Sequence, residues 1–420
     1  MKTNQFLLLL TIVLGTFSCT DTNKFADYIV ARPLTISKAE LKADVVIAPP
    51  EEIRTSGKIY AYENYIFVND RLKGIHVIDN SNPAAPQKLA FIKIVGNVDI
   101  SIKDNYLYAD NLTDLIVLDI SDIQRIRVVN RLENVLEGNF WALPEVNFEV
   151  PVQVDIFEYE GVDFENDVIV GWETRVERRL VEDQTNFALE NGGVSDVASP
   201  TQGGSGQGGS LARFVIARDY LYAVGSHTLS VFNIENLENP ENLDPVYAGF
   251  DIETIFNRGE HLFLGSRRGM YIYNISSPAT PSLVSEFQHG TACDPVVVDG
   301  DYAYVTLRGG NDCGATESGL FIVDISEITT PVLKKMYPMD EPYGLGIKDE
   351  KLFICDGNSG LKVFDKTDVD NLVSLDHFEN INTFDVIPRE ESLIMIGDGI
   401  LYQYSYLENN IELISELALQ

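Results

Sequence analysis

The sequence predicts an all-β fold, and three observations predict it. One pattern is written seven times along the chain. Each copy carries four short strand signals. Most of those strands are apolar on both faces, as strands are when their sheet is buried between two others. The clearest part of the pattern is the third strand, which runs Gly74–Asp79, Asp114–Asp119, Thr228–Asn233, Gly269–Asn274, Gly319–Asp324, Gly360–Asp365 and, eroded, Gly399–Tyr404. Its final residues lie 40, 114, 41, 50, 41 and 39 positions apart. The long gap is one repeat plus an insertion of about 71 residues, 139–209, between the second and third units. Four strands in about 41 residues is the pattern of a propeller blade, because one such sheet cannot bury both faces alone and a closed ring of them can. The expectation is a seven-bladed β-propeller over 58–417 with one long insertion.

The fifth unit shows the elements most plainly. Val296–Val298 reads as its first strand, Tyr302–Leu307 as the second, Leu320–Asp324 as the third and Val332–Met336 as the fourth. Turns such as Asp299-Gly300-Asp301 place Gly and Asp where positive φ or side-chain turn bonds are wanted. The second strands carry an aromatic at one register, namely Phe67, Tyr108, Tyr222, Phe263, Tyr304 and Phe353, read as core between blades. The motif carboxylates Asp79, Asp119, Asp324 and Asp365 end a strand and are expected to bond turn amides.

Residues 1–18 read as a secretory signal. Lys2 precedes the nine-residue apolar run Phe6–Leu14, which is too short to cross a bilayer. Ser18-Cys19 resembles the processing site of Bacteroidota-type lipoproteins, in which the Cys is lipidated and becomes the new N-terminus. Residues 19–57 would then be a polar tether, and the membrane would be reached only through the anchor, at the outer membrane facing periplasm or cell surface. Export implies an oxidising compartment. Cys293 and Cys313 fall at the upper edge of the fifth unit and are expected to pair, leaving Cys355 as a buried free thiol.

With 31 Lys+Arg against 64 Asp+Glu the net charge is −33, which excludes nucleic acid as a natural partner because its phosphates repel such a surface. At the start of the first strands the units place Lys58, Asp99, Arg213, Thr254, Pro295, Gly344 and Asp385, a mixed polar ring at the channel mouth. Arg71, Arg267, Arg268 and Arg308 fall in loops between second and third strands and, with Arg213, form a candidate cationic patch for carboxylate or phosphate. Both tryptophans, Trp141 and Trp172, lie in the insertion, which is expected to cap the upper face, with 191–210 as flexible polar chain. Zincin, nucleophile-elbow and Cys-x-x-Cys signatures are lacking, and His76, His227, His261, His289 and His377 have no metal-ligand spacing. No cofactor or metal is expected.

Phe321–Ser326 and Leu115–Ser121, with the connector Asn82–Pro86 echoed by Ser277–Pro281, resemble LVIVD-repeat proteins, a bacterial propeller family. The resemblance covers 58–417 outside the insertion and implies the fold more than the function. The leading expectation is an extracytoplasmic, lipid-anchored binding or scaffold module for a protein or glycan of the cell envelope. The alternative is a hydrolase or lyase acting on an anionic substrate at the channel mouth.

Overall fold

A computed structural model describes residues 25–41, 45–53, 56–137, 154–180, 206–288, 295–309 and 317–420. Contacts divide the chain into a smaller unit, 1–38 with 145–192, and a larger one, 39–144 with 193–420.

The larger unit is a propeller of antiparallel sheets, seven of them among the described residues. Each runs outward from an inner strand. The inner strands are Ser56–Tyr62, Ile100–Lys103, Phe214–Ala217, Ile252–Arg258, Val296–Asp299, Leu345–Lys348 and Asp385–Pro388, heading sheets one to seven in that order. They lie beside one another in cyclic order, the seventh against the first. The core follows from this arrangement. Seven apolar clusters each fill the space between two neighbouring sheets, and the one joining seven to one packs Ile59, Ile66 and Val68 on Ile387, Ile394 and Leu401. The second-strand aromatics Phe67, Tyr108, Tyr222, Phe263, Tyr304 and Phe353 are among the largest fully buried side chains, as their shared register implies. Burying one such ring stabilises by about 1.5–3 kcal/mol. Two of their hydroxyls also reach the neighbouring sheet: Tyr108 donates to the Leu237 carbonyl at 2.9 Å and Tyr222 to that of Pro278 at 2.8 Å.

Local chemistry explains the repeat motif. Asp79, Asp119, Asp324 and Asp365 each accept the backbone N–H two residues on, at 2.8–3.0 Å. Asn233 and Asn274 do the same in the third and fourth sheets. At Asp119, Asp324 and Asp365 the hydroxyl of Ser121, Ser326 or Thr367 adds the larger bond, whereas at Asp79 the Ser81 N–H leads. Together these hold the four carboxyls below their usual range, Asp119, which Arg127 also bonds, down to about 2. The motif glycine has a different cause. A Cβ at Gly74, Gly269 or Gly360 would lie 2.0–2.2 Å from a carbonyl oxygen of the fourth strand, so no side chain fits there.

Three boundaries differ from the expectation. Residues 45–53 are not tether: Val46–Ala48 adds an outermost strand to sheet one, and buried Ile53 donates to the Leu419 carbonyl at 2.9 Å. Residues 206–210 are not flexible chain. Gln207–Gly208 pairs with Ala61 and Tyr60 on the inner edge of sheet one, inside the channel. Gly206 N–H donates to Ile102 O at 2.9 Å, Gly209 N–H to Ile59 O at 3.1 Å, and the Ser210 hydroxyl accepts from Leu345 N–H at 2.6 Å. The segment therefore climbs the channel from its lower end and turns over at 211–213 into the inner strand of sheet three. A glycine-rich composition reads as linker, yet it is also what fits at a crowded axis. Third, residues 25–37 form a strand of the smaller unit. Phe25–Ser37 pairs antiparallel with Asp167–Leu180 and parallel with Ile156–Phe157. Arg32 and Arg179 bridge Glu158 and Glu177 across this sheet at 2.5–2.8 Å.

The signal segment, Cys19, Cys293, Cys313, Trp141 and most of the insertion lie outside the described residues. Among the described residues Cys355 is a free, buried cysteine, and burial, with Asp385 nearby, pushes its thiol well up. No described helix is long and apolar enough to cross a membrane.

Candidate functional site

The predicted ring forms, but as a buried layer and not an open mouth. Lys58, Asp99, Arg213, Thr254 and Asp385 are all less than a tenth exposed. The Lys58 ammonium lies 3.8 Å from Asp99 Oδ2. That oxygen accepts the backbone N–H groups of Arg213 and, at 3.0 Å, Phe214, while Oδ1 accepts from Ile100 at 2.8 Å. Asp110, on the second strand of sheet two, joins the layer by accepting Val98 and Asp99 N–H at 2.9 Å. Asp385 Oδ1 accepts from Val386 at 2.9 Å, and the carboxyl packs against Gly209. Burial raises all three carboxyls despite Lys58 close by: Asp99 upward, Asp110 to about 6 and Asp385 to about 8. Arg213 Nε donates to the Val224 carbonyl at 3.1 Å. These groups hold the returning segment 209–214 in place.

The other predicted cations do not converge. Arg71 is exposed on sheet one, with sheets two and three between it and Arg267 and Arg268 on sheet four. Arg267 Nε lies 3.8 Å from buried Glu253, Arg268 Nε 3.0 Å from Asp251, and the Arg308 guanidinium sits 3.9 Å over the Tyr343 ring. Each has its own counter-group, so no shared patch results. Trp172 belongs to the smaller unit, edge-on to Phe157 at 5.3 Å and Tyr159 at 5.7 Å.

What the upper face does present is an aromatic groove on sheets three and four that the repeat analysis missed. Tyr247, on the short outer strand Val246–Tyr247 of sheet three, and Phe250, in the connection that follows it, are respectively 60% and 50% exposed. Their rings meet edge-on at 5.9 Å, His227 approaches Phe250 at 5.6 Å, and Arg268 stands 5.6 Å over the Phe250 ring. Phe250, Asp251, Arg268, Met270, Tyr271 and Phe287 line a groove of about 780 Å³. The available signal was Phe250 in an inter-blade connection, where a polar turn would suffice, with Tyr247 just before it.

The LVIVD repeat model matches residues 53–90, 97–126 and 289–338, which hold most of sheets one and two and all of sheet five. No curated protein matches the chain. Similar solved structures include the computationally designed Ika8 protein, 12% identical over 88% of this chain and 89% of that one with a TM-score of 0.50. A functionally unknown protein from Desulfotomaculum acetoxidans is 11% identical over 86% and 95%, also at 0.50. Sqt1 of Saccharomyces cerevisiae is 7% identical over 88% and 87%, again at 0.50. Identities this low establish likeness of fold alone. Repeat wording, four-stranded sheets and cyclic packing agree, and the chain carries LVIVD repeats at these three segments.

Proposed function

We propose that this protein is an exported, lipid-anchored binding module whose upper face receives a protein of the cell envelope, and that it catalyses nothing. The observation that carries the reading is a contrast between two groups. The polar ring is buried and bonded to backbone, whereas Tyr247, Phe250 and Arg268 stand in the open beside a groove. Tyr, Phe and Arg beside a depression of mixed polar and apolar lining are what protein hot spots use. A glycan is the less favoured partner, because Arg268 already covers a face of Phe250 on which a sugar would stack. The hydrolase or lyase alternative draws on the raised carboxyls of the ring. Asp385 packs against Gly209 of the returning segment, and Asp99 and Asp110, which line a small cavity beside Arg213, are occupied by backbone N–H groups.

Anchoring rests on Cys19, and export on the apolar run before it. In that compartment Cys293 and Cys313 close a disulfide. Affinity capture with the mature domain from envelope extracts, followed by mass spectrometry of bound proteins and glycans, tests the reading. A single enriched protein supports it; recovery of glycan alone replaces the partner class. Turnover of an anionic substrate that is lost in Asp385→Asn would overturn the non-catalytic reading.

A further inference from the structure

The segment 206–210 fills only one side of the channel. Beside it, in the lower half, remains a cavity of about 550 Å³, within the range of small-molecule sites. Five inner strands line it, with apolar side chains at Ala217, Phe256, Val297, Leu345 and Val386, polar ones at Gln207 and Asn257 beside them, and Ser210 also on its wall. Its lower rim is of opposite character. Arg218 and Arg258, on neighbouring sheets, both line it and are nearly half exposed. Arg218 pairs with Glu260 at 2.8 Å; Arg258 donates to the Val298 carbonyl at 3.0 Å and to Asp299 at 3.2 Å. Asp299, the rim carboxylate, is also held by Lys366 at 2.8 Å, so two cations share its charge. A guanidinium has five donors, more than these contacts use.

The basic rim also follows a register. The first strands of sheets two, four and six end in Lys103, Arg258 and Lys348, Arg389 directly follows the seventh, and Arg218 directly follows the third. Four of these five are paired with carboxylates, Lys103 with Asp219, Arg218 with Glu260, Arg258 with Asp299 and Lys348 with Asp349, so the rim is a band of ion pairs whose guanidinium donors are not all used.

We propose that the lower channel is a binding pocket for a single-chain amphiphile. The apolar body lies along Phe256, Val297 and Val386, and an anionic head, carboxylate or phosphate, is gripped by Arg218 and Arg258. This site is separate from the upper-face groove, and neither reading depends on the other.

The test is isothermal titration of the full chain with decanoate and with decyl phosphate, alongside 1-decanol and inorganic phosphate. Both charged amphiphiles are expected to bind once per chain. Inorganic phosphate, lacking a body, and decanol, lacking a charged head, are expected to bind at least about tenfold more weakly. The exposed pair Arg218→Gln/Arg258→Gln should weaken both amphiphiles by a similar factor while circular dichroism stays unchanged. Hydrogen exchange on the unaltered protein should slow in 256–259, 297–299 and 345–348 on adding decanoate. The relative strength of decanoate and decyl phosphate assigns the head group. Failure of both to bind, equal binding of decanol, full binding by the double variant, or protection elsewhere would each overturn the pocket.

Discussion

Gly209 and Asp385 are in contact at the channel axis. A Cβ at position 209 would fall 1.9 Å from Oδ2 of Asp385 and 2.3 Å from its Cγ. The returning segment thus reaches the axis only because 209 has no side chain, and the hydroxyl of its neighbour Ser210 then accepts from Leu345 N–H at 2.6 Å. The contact makes a coupling prediction. Gly209→Ala alone should destabilise by about 1–3 kcal/mol through overpacking. Asp385→Ala removes the atoms the new methyl meets, so the double variant should be more stable than the sum of the two single changes. Denaturant unfolding of the four proteins measures this. Strict additivity would show that the segment is not seated against Asp385.

The same carboxyl makes stability depend on pH. Asp385 titrates at about 8 in the fold, far above an ordinary carboxyl, and Asp110 at about 6. The folded state therefore holds protons that the unfolded state has released. This stabilisation is complete below about pH 4 and is lost as pH rises to about 6 for Asp110 and about 8 for Asp385. The loss is at most about 1.4 kcal/mol per pH unit for each group while it titrates. Asp385→Asn keeps the shape without the charge. It should match the unaltered protein near pH 4 and exceed it in thermal stability at pH 8. Parallel curves from pH 4 to 8 would refute the assignment.

Closure of the ring places a third prediction at its seam. Among the described residues no strand is exchanged between sheets seven and one. Instead Asn80 and Gln403 exchange amide hydrogen bonds at 2.8 and 2.9 Å, Gln403 and Ser415 both donate to the Pro83 carbonyl, and Lys88 donates to Leu419 O at 2.7 Å. Gln403 is fully buried. Gln403→Leu leaves Asn80 and Pro83 short of partners and should cost about 1–3 kcal/mol. Hydrogen exchange should then rise first at the edges of sheets seven and one. A uniform rise over all sheets would show that the seam is no weaker than any other interface.

How much of this was legible follows from what repeats. Tyr108 and Phe353 were readable as core because the same register recurs, and Asp324 as a turn acceptor because Ser326 follows it in a motif written several times. Each repeated position is sampled more than once, so its physical role averages out of local noise. Features that occur once had no such support. Residues 206–210 carry three glycines, and that composition serves a flexible linker and a crowded axis equally well. The partner of Phe25–Ser37 lies about 140 residues away at Asp167–Leu180, beyond any local periodicity. The ring residues were placed at the right level, but their burial depended on the returning segment, which the reading had assigned to solvent.

That segment also bears on how the insertion can be removed. Joining 138 to 210 closes the chain but empties one side of the channel, losing the bonds of Gly206 to Ile102 and Gly209 to Ile59. Such a deletion should lower the unfolding midpoint. Adding back 206–210 through a linker long enough to reach the lower end should restore it. Equal midpoints for the two proteins would mean that the segment adds nothing to the fold.

The last prediction concerns the upper groove. Tyr247 and Phe250 are at least half exposed, so truncating them removes little core packing, and Tyr247→Ala/Phe250→Ala should change stability by under about 1 kcal/mol. The same change removes the Phe250 wall of the groove and the exposed Tyr247 ring that meets it edge-on, and hot-spot residues of this kind contribute about 2 kcal/mol or more each to binding. Capture of the envelope protein should therefore fall at least about thirtyfold in affinity, measured by surface titration with the purified partner. Arg268→Ala adds a second readout. Its pair with Asp251 is exposed and contributes little to folding, so any loss of capture reports contact with the partner. Arg71→Ala, on sheet one and outside the groove, is the matched control. If the aromatic double variant captures as well as the unaltered protein while Arg71→Ala does not, the recognition surface lies on sheet one and the groove on sheets three and four is not the site.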